Sequence, residues 1–331
     1  EAVPSCLPPF LINATGVTAT ATSINWSTVA GTCFKLEYGP QGFIQGTGQG
    51  IVINNVTSPH ALTGLTPNTW YDVYITDCCS NPSVWAGPFS WKTNCLTQMN
   101  GTYTVGGTGA NNFPTLAAAI STLTGCGVSG PVTINLLNGA HALPSTTFGS
   151  ILGVSATNTV TINGMGVGND TISFGAGTTV GLTFDGAQHI KFQNLTINAT
   201  SVDRPVWLTN GTHHITFNNC HILGNATSTS SLTCVIAATG SSTSLSTTGN
   251  NADRITISNC KLSGGYYGFT AYGTSTADYD KGFVLTDNEF VDQYYYAIRF
   301  YYAQNITMTK NVLMGTRNTS GYGLYAYYVT N

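Results

Sequence analysis

Few side chains in this sequence have types and spacing suited to chemistry, and most lack a partner. Five acids, Asp278, Asp280, Asp287, Glu289 and Asp292, share one short stretch. Their hard oxygens could chelate Ca2+. The flanking loops suit a solvated turn better, so no metal site is assigned and Ca2+ stays open as a cofactor. Asp185 has Asn210 at its expected neighbouring position and no acid, whereas glycoside hydrolysis needs two carboxylates facing one bond. His213 and His214 are adjacent. Successive strand side chains point to opposite faces, which argues against a shared metal. His189 and His221 read as single surface residues. Gly106-Gly-Thr-Gly109 lacks the G-x-G-x-x-G spacing and the following lysine of phosphate loops, and reads as a turn. No residue is assigned a catalytic role.

Tyrosines are more informative. Alternation along 297–300 and 323–326 puts Ile298, Phe300, Leu324 and Ala326 inside, so Arg299, Tyr301, Tyr325 and Tyr327 point out. One repeat earlier the equivalent residue is Tyr272, and Tyr294–Tyr296 approach the same face. Flat amphipathic rings, hydroxyls and one guanidinium suit the apolar faces of sugars, which makes this the candidate carbohydrate-binding face. The competing reading is self-stacking, because rings one strand apart fall within aromatic contact distance.

Such a face needs stacked strands. Five segments, at 190–197, 215–222, 255–262, 283–290 and 306–313, share an apolar–x–apolar–x–x–(Asn/Cys/Leu)–x–apolar pattern. They alternate with short strands at 181–184, 206–209, 268–271, 297–300 and 323–326. The residues expected to face inward, Leu182, Trp207, Phe269, Ile298 and Leu324, are separated by 25, 62, 29 and 26 residues. The long interval holds two coils, with 234–238 supplying the strand between. Leu195, Cys220, Cys260, Asn288 and Asn311 fall at one bend position, where inward Asn side chains could form a ladder. Cys220 and Cys260 read as stacked buried thiols. This periodicity without helices is that of a parallel β-helix, in which stacked coils share one core.

The first part reads differently. Strand-like runs at 16–26, 33–38, 51–56, 70–76 and 87–92 are separated by turn signals, the cadence of a β-sandwich. Trp26 sits on a core-facing position. The run Leu65-Thr-Pro-Asn-Thr-Trp-Tyr71 has the L-x-P-x-T-x-Y form that precedes a tyrosine corner. With the Tyr38 strand, residues 1–97 resemble a fibronectin type III module. That resemblance places Cys6, Cys33 and Cys78/Cys79 at one pole, and implies that Cys6 and Cys33 pair with Cys78 and Cys79 in an unassigned order. Cys95 lies at the other pole and could reach Cys126. Buried free thiols are the alternative.

Residues 98–331 open with Gly101-Thr-Tyr-Thr-Val-Gly-Gly-Thr-Gly, then Phe113-Pro-Thr-Leu-Ala-Ala-Ala-Ile120, then Gly130-Pro-Val-Thr-Ile-Asn135. This run resembles the start of pectin-lyase-like domains, which occur beside type III modules in secreted surface proteins of Bacteroidota-type bacteria. The resemblance implies an all-β protein with a right-handed parallel β-helix, and the 101–120 run itself reads as a strand, a Gly turn and a short amphipathic helix that would cap the open end of the solenoid. Pectate-lyase-like sites show V-W-I-D-H on a strand, whereas the matching place here reads Val206-Trp-Leu-Thr-Asn210, with no acid and no histidine. Arg204-Pro205 has no second arginine to complete an R-x-P-x-x-R motif.

Only 7% of residues are charged, and the net charge is −3. That argues against nucleic acid as a partner, and no segment reaches the roughly 20 apolar residues of a membrane span. Five of nine cysteines lie in the first 95 residues, a density suited to an extracellular, disulfide-forming compartment. The expected function is a non-enzymatic surface adhesin or stalk that meets a polysaccharide or cell-surface ligand. A polysaccharide lyase or glycoside hydrolase is one alternative, and a self-associating filament or sheath component is another. Because the strand pattern at 323–331 runs to the last residue, the coils are expected to continue in a longer polypeptide.

Overall fold

The computed structural model describes residues 7–29, 33–79, 83–137, 139–175 and 177–330. The chain divides into two units, Glu1–Gln98 and Met99–Asn331.

In the first unit, alternating apolar and hydroxyl residues build seven strands: β1 (Phe10–Thr15), β2 (Ala21–Ser27), β3 (Phe34–Pro40), β4 (Ile51–Val56), β5 (His60–Thr63), β6 (Trp70–Asp77) and β7 (Ala86–Lys92). They form two antiparallel sheets ordered β1-β2-β5 and β4-β3-β6-β7, the fibronectin type III arrangement. Ile24, Leu36, Val73 and Ile75 are fully buried between the sheets. Trp26 is core-facing, edge-on to Phe34 at 5.4 Å. The Tyr71 hydroxyl accepts from the Thr66 N–H at 2.9 Å, which is the expected tyrosine corner. Cys33 and Cys78 form a disulfide. Cys79, Cys95 and Cys126 are also disulfide-bonded, and Cys6 lies outside the described residues.

The second unit is a parallel β-helix of about eight turns. Thr115 caps the helix Leu116–Cys126, its side chain accepting from the Ala118 N–H. Leu116, Ala119, Ile120 and Leu123 face the core of the first coil. One sheet stacks Thr146–Phe148, Val180–Asp185, Arg204–Thr209, Cys234–Ala238, Tyr267–Tyr272, Tyr296–Gln304 and Tyr322–Thr330 in parallel. The other carries the repeated segments, with the long strands Gln188–Asn198 and Thr212–Leu223 paired from Ile190↔Ile215 to Asn198↔Leu223. Each turns a corner in mid-strand at a residue in the left-handed region, Asn194 (φ 57°) or Asn219 (φ 50°). Asn and Gly adopt that conformation at least cost.

Two sequence expectations met different fates here. The residue after each corner does face inward, and the expected ladder forms. Asn311 Oδ1 accepts from the Asn288 N–H and Nδ2–H at 3.1 and 3.0 Å. Asn288 Oδ1 accepts from the Cys260 N–H at 2.9 Å, and Cys260 Sγ from the Cys220 N–H at 3.4 Å. Cys220 and Cys260 are buried free thiols. Trp207, by contrast, is not inward. Leu182 pairs with Val206 and Thr183 with Trp207, so Val206 fills the core. The indole lies outside, half-buried, and its Nε1–H donates to the Thr239 carbonyl at 2.9 Å.

Candidate functional site

The tyrosine face follows from strand register. Tyr272 pairs with Tyr301 and Tyr301 with Tyr327, so one outward column holds three tyrosines. Their ring centroids are 4.5 and 4.8 Å apart, close to the inter-strand spacing that carries them. At the adjoining corner Tyr302 stacks on Tyr328 at 4.9 Å. Further along the strands Tyr296 stacks on Tyr325 at 5.1 Å. Tyr322, Tyr327 and Tyr328 remain exposed, at 57%, 43% and 46%. The Tyr327 hydroxyl is pushed up to about 12, first by its hydrogen bond with Tyr328. Burial raises Tyr296, reinforced by Tyr295. At neutral pH these groups are therefore uncharged phenols, able to donate and accept. Self-stacking is real, and Tyr272, Tyr301 and Tyr325 stay partly exposed within it.

Arg299 requires a correction. It points out of the core as expected, but it is only 7% exposed. The 239–250 segment crosses over it, and the Leu245 carbonyl accepts from Nη2. Nε donates to Thr270 Oγ1 at 2.8 Å and Nη1 to Tyr267 Oη at 3.3 Å. The guanidinium also lies 4.4 Å from the centre of the Tyr267 ring. It braces the tyrosines from beneath, lying over the Tyr267 and Tyr272 rings with three of its five N–H donors engaged by the protein.

The five acids do not converge. Asp280 is buried and accepts from the Asn251 N–H at 2.9 Å, with its carboxyl pushed up to about 7 by burial. Glu289 faces Lys261 at 3.5 Å, and Asp287 and Asp292 occupy corner positions with φ of 53° and 60°. Among the described residues no three carboxylates stand close enough to share an ion. Asp185 aligns with Thr209 and accepts from Asn210 Nδ2 at 2.5 Å. Arg204 is buried, 1% exposed, and burial lowers its pKa.

The histidines overturn the strand argument. His214 has φ 55°, which breaks the alternation, and His213 Nδ1 lies 2.7 Å from His214 Nδ1. His189, at the same corner one coil earlier with φ 51°, stacks on His214 at 4.3 Å. Burial lowers the pKa of both His189 and His214; His213 lowers His189 further, and His189, His213 and Arg254 lower His214. His189 and His214 border a groove of about 470 Å3 whose walls include Thr159, Thr161, Thr216, Thr256 and Arg254. The sequence shows a single histidine and a histidine pair; the left-handed corner that turns them together carries no mark in it.

No protein-family model matches the chain, and no curated protein matches it. Among solved structures, a redesigned β-sandwich protein is 23% identical over 27% of this chain and 97% of its own, with a TM-score of 0.23. The fn3 domain of human collagen alpha-1(XX) chain is 17% identical over 30% of this chain and 95% of its own, with a TM-score of 0.26. The FN5 domain of Drosophila Lar is 18% identical over 26% and 95%, with a TM-score of 0.23.

Proposed function

We propose that this chain is a non-enzymatic module of an extracellular surface, a stalk that adheres to a polysaccharide or cell-surface ligand through the tyrosines of its β-helix. The observation that carries this reading is the column Tyr272, Tyr301, Tyr327 with Tyr325 beside it, repeated on successive coils and partly exposed. A comb of uncharged phenols at strand spacing matches a polymer rich in hydroxyls and apolar ring faces. Arg299, 7% exposed, supports the comb from beneath the Tyr272 ring. The disulfides favour an oxidising compartment, and no helix among the described residues is long and apolar enough to cross a membrane.

The test replaces Tyr301 and Tyr327 together with Ser and measures unfolding and retention on immobilised polysaccharides. Lost retention with an unchanged unfolding midpoint is the expected result. Unchanged retention with a lowered midpoint would reduce the tyrosines to a structural stack. Release of new reducing or unsaturated ends from the polysaccharide would favour the enzymatic alternative.

A further inference from the structure

We infer that His189, His213 and His214 form a binding site for a borderline divalent transition-metal ion, Zn2+ in the first instance. Each offers one ring nitrogen, and these nitrogens all lie within 4.8 Å of one another. The three side chains are half-buried and come from adjacent coils paired as Gln188↔His213 and Ile190↔Ile215. Imidazole nitrogen is the ligand type that Zn2+, Cu2+ and Ni2+ prefer. Three protein ligands with an open position form a recurrent zinc arrangement, and two of the three here, His189 and His214, line the threonine-rich groove.

The backbone accounts for the convergence. His189, His214, Arg254, Gly282 and Asn305 occupy one corner column, with φ of 51°, 55°, 53°, 78° and 55°. At two successive levels of that column a histidine stands where Gly or Asn would fold at lower conformational cost. Nothing in the packing requires imidazole there, since other levels of the same corner manage with Gly282 and Asn305. The present spacing also suits a small local adjustment. Two nitrogens bound tetrahedrally at about 2.0–2.1 Å stand about 3.3 Å apart, against 2.7 Å between His213 and His214. Metal entry therefore replaces one N–H···N bond, opens that pair slightly, and fans the stacked His189 and His214 rings toward a common point.

Titration of the untagged protein with Zn2+, and with Co2+ as a visible probe, tests the site. One saturable equivalent is expected, with a Co2+ absorption band of nitrogen-ligand type that Zn2+ abolishes. His189→Asn, His213→Gln and His214→Asn should each weaken binding by more than about 100-fold, beyond the 10–100-fold effect of outer-shell partners. Asn is chosen at the two corner positions because Asn305 already occupies that column. His221→Gln, outside the cluster, should leave binding unchanged. Imidazole NMR of the unaltered protein gives a reading independent of variant folding: three of the six histidines should shift with Zn2+. Absence of saturable binding, persistence in the triple variant, or shifts confined to other histidines would leave the cluster as a stacked corner and overturn the site. None of these readings depends on the tyrosine face.

Discussion

At the scale of single residues, the bend ladder shows how a charge-poor chain satisfies polar groups inside a solenoid. Asn288 is 2% exposed, yet its amide is fully used. Its Oδ1 accepts from the Cys260 N–H, and its Nδ2 donates to the Ile257 carbonyl at 2.8 Å and to Asn311 Oδ1. One level away a sulfur does part of the same work, since Cys260 Sγ accepts from the Cys220 N–H. Asn288→Ala strands a buried donor and a buried acceptor, and should cost about 1–3 kcal/mol for each group left unpaired. Asn288→Cys should cost clearly less, because the thiol can take the Cys260 N–H as its neighbour does. Urea unfolding of the two variants decides between hydrogen bonding and mere volume. Equal losses would mean that the ladder's polar contacts contribute little.

At the scale of elements, the corners set both the geometry and the limits of what could be read in advance. Asn219 bends the strand Thr212–Leu223 at φ 50°, and its Nδ2 donates to Asn194 Oδ1 at 2.9 Å. Asn219→Val places a β-branched residue in that region and should destabilise by about 1–3 kcal/mol. Asn219→Gly should lose only the exposed hydrogen bond, so thermal melts that rank glycine below valine would contradict the corner argument. Strict alternation made Tyr301, Tyr325 and Tyr327 legible, because polar and apolar residues trade places at every step around Phe300 and Ala326. Val206-Trp207-Leu208 has no such alternation, and nothing in three consecutive apolar residues says which one faces outward. The burial of Arg299 depends on a loop rich in Ser and Thr passing over it, and loop paths leave no periodic trace. His213 and His214 defeated the alternation rule for a third reason. Gly and Asn are the usual marks of a left-handed corner, and histidine, though it tolerates positive φ better than most residues, is not read as one.

At the scale of the whole molecule, each unit has its own buried core and its own means of stabilisation. The sandwich packs Ile24, Leu36, Val73 and Ile75 around Trp26 and Trp91, and a disulfide closes the 45-residue separation between Cys33 and Cys78. The β-helix instead runs one continuous core in which Phe184, Phe192 and Phe217 interlock at 5.7 to 6.1 Å. Cys33→Ser with Cys78→Ser should therefore act on the sandwich alone. Loop-closure entropy for that separation predicts a loss of about 4 kcal/mol, a large share of what a domain of this size possesses. The tryptophans make the claim testable in one sample. Trp26, Trp70, Trp85 and Trp91 report on the sandwich, and Trp207 is the sole tryptophan of the second unit. A Trp207→Phe background isolates sandwich fluorescence, while the near-ultraviolet dichroism of the stacked tyrosines follows the β-helix. The double serine variant should move the fluorescence transition to lower urea and leave the tyrosine signal in place. If both signals shift together by the same amount, the two units unfold as one cooperative body and the disulfide's effect reaches beyond the sandwich it closes.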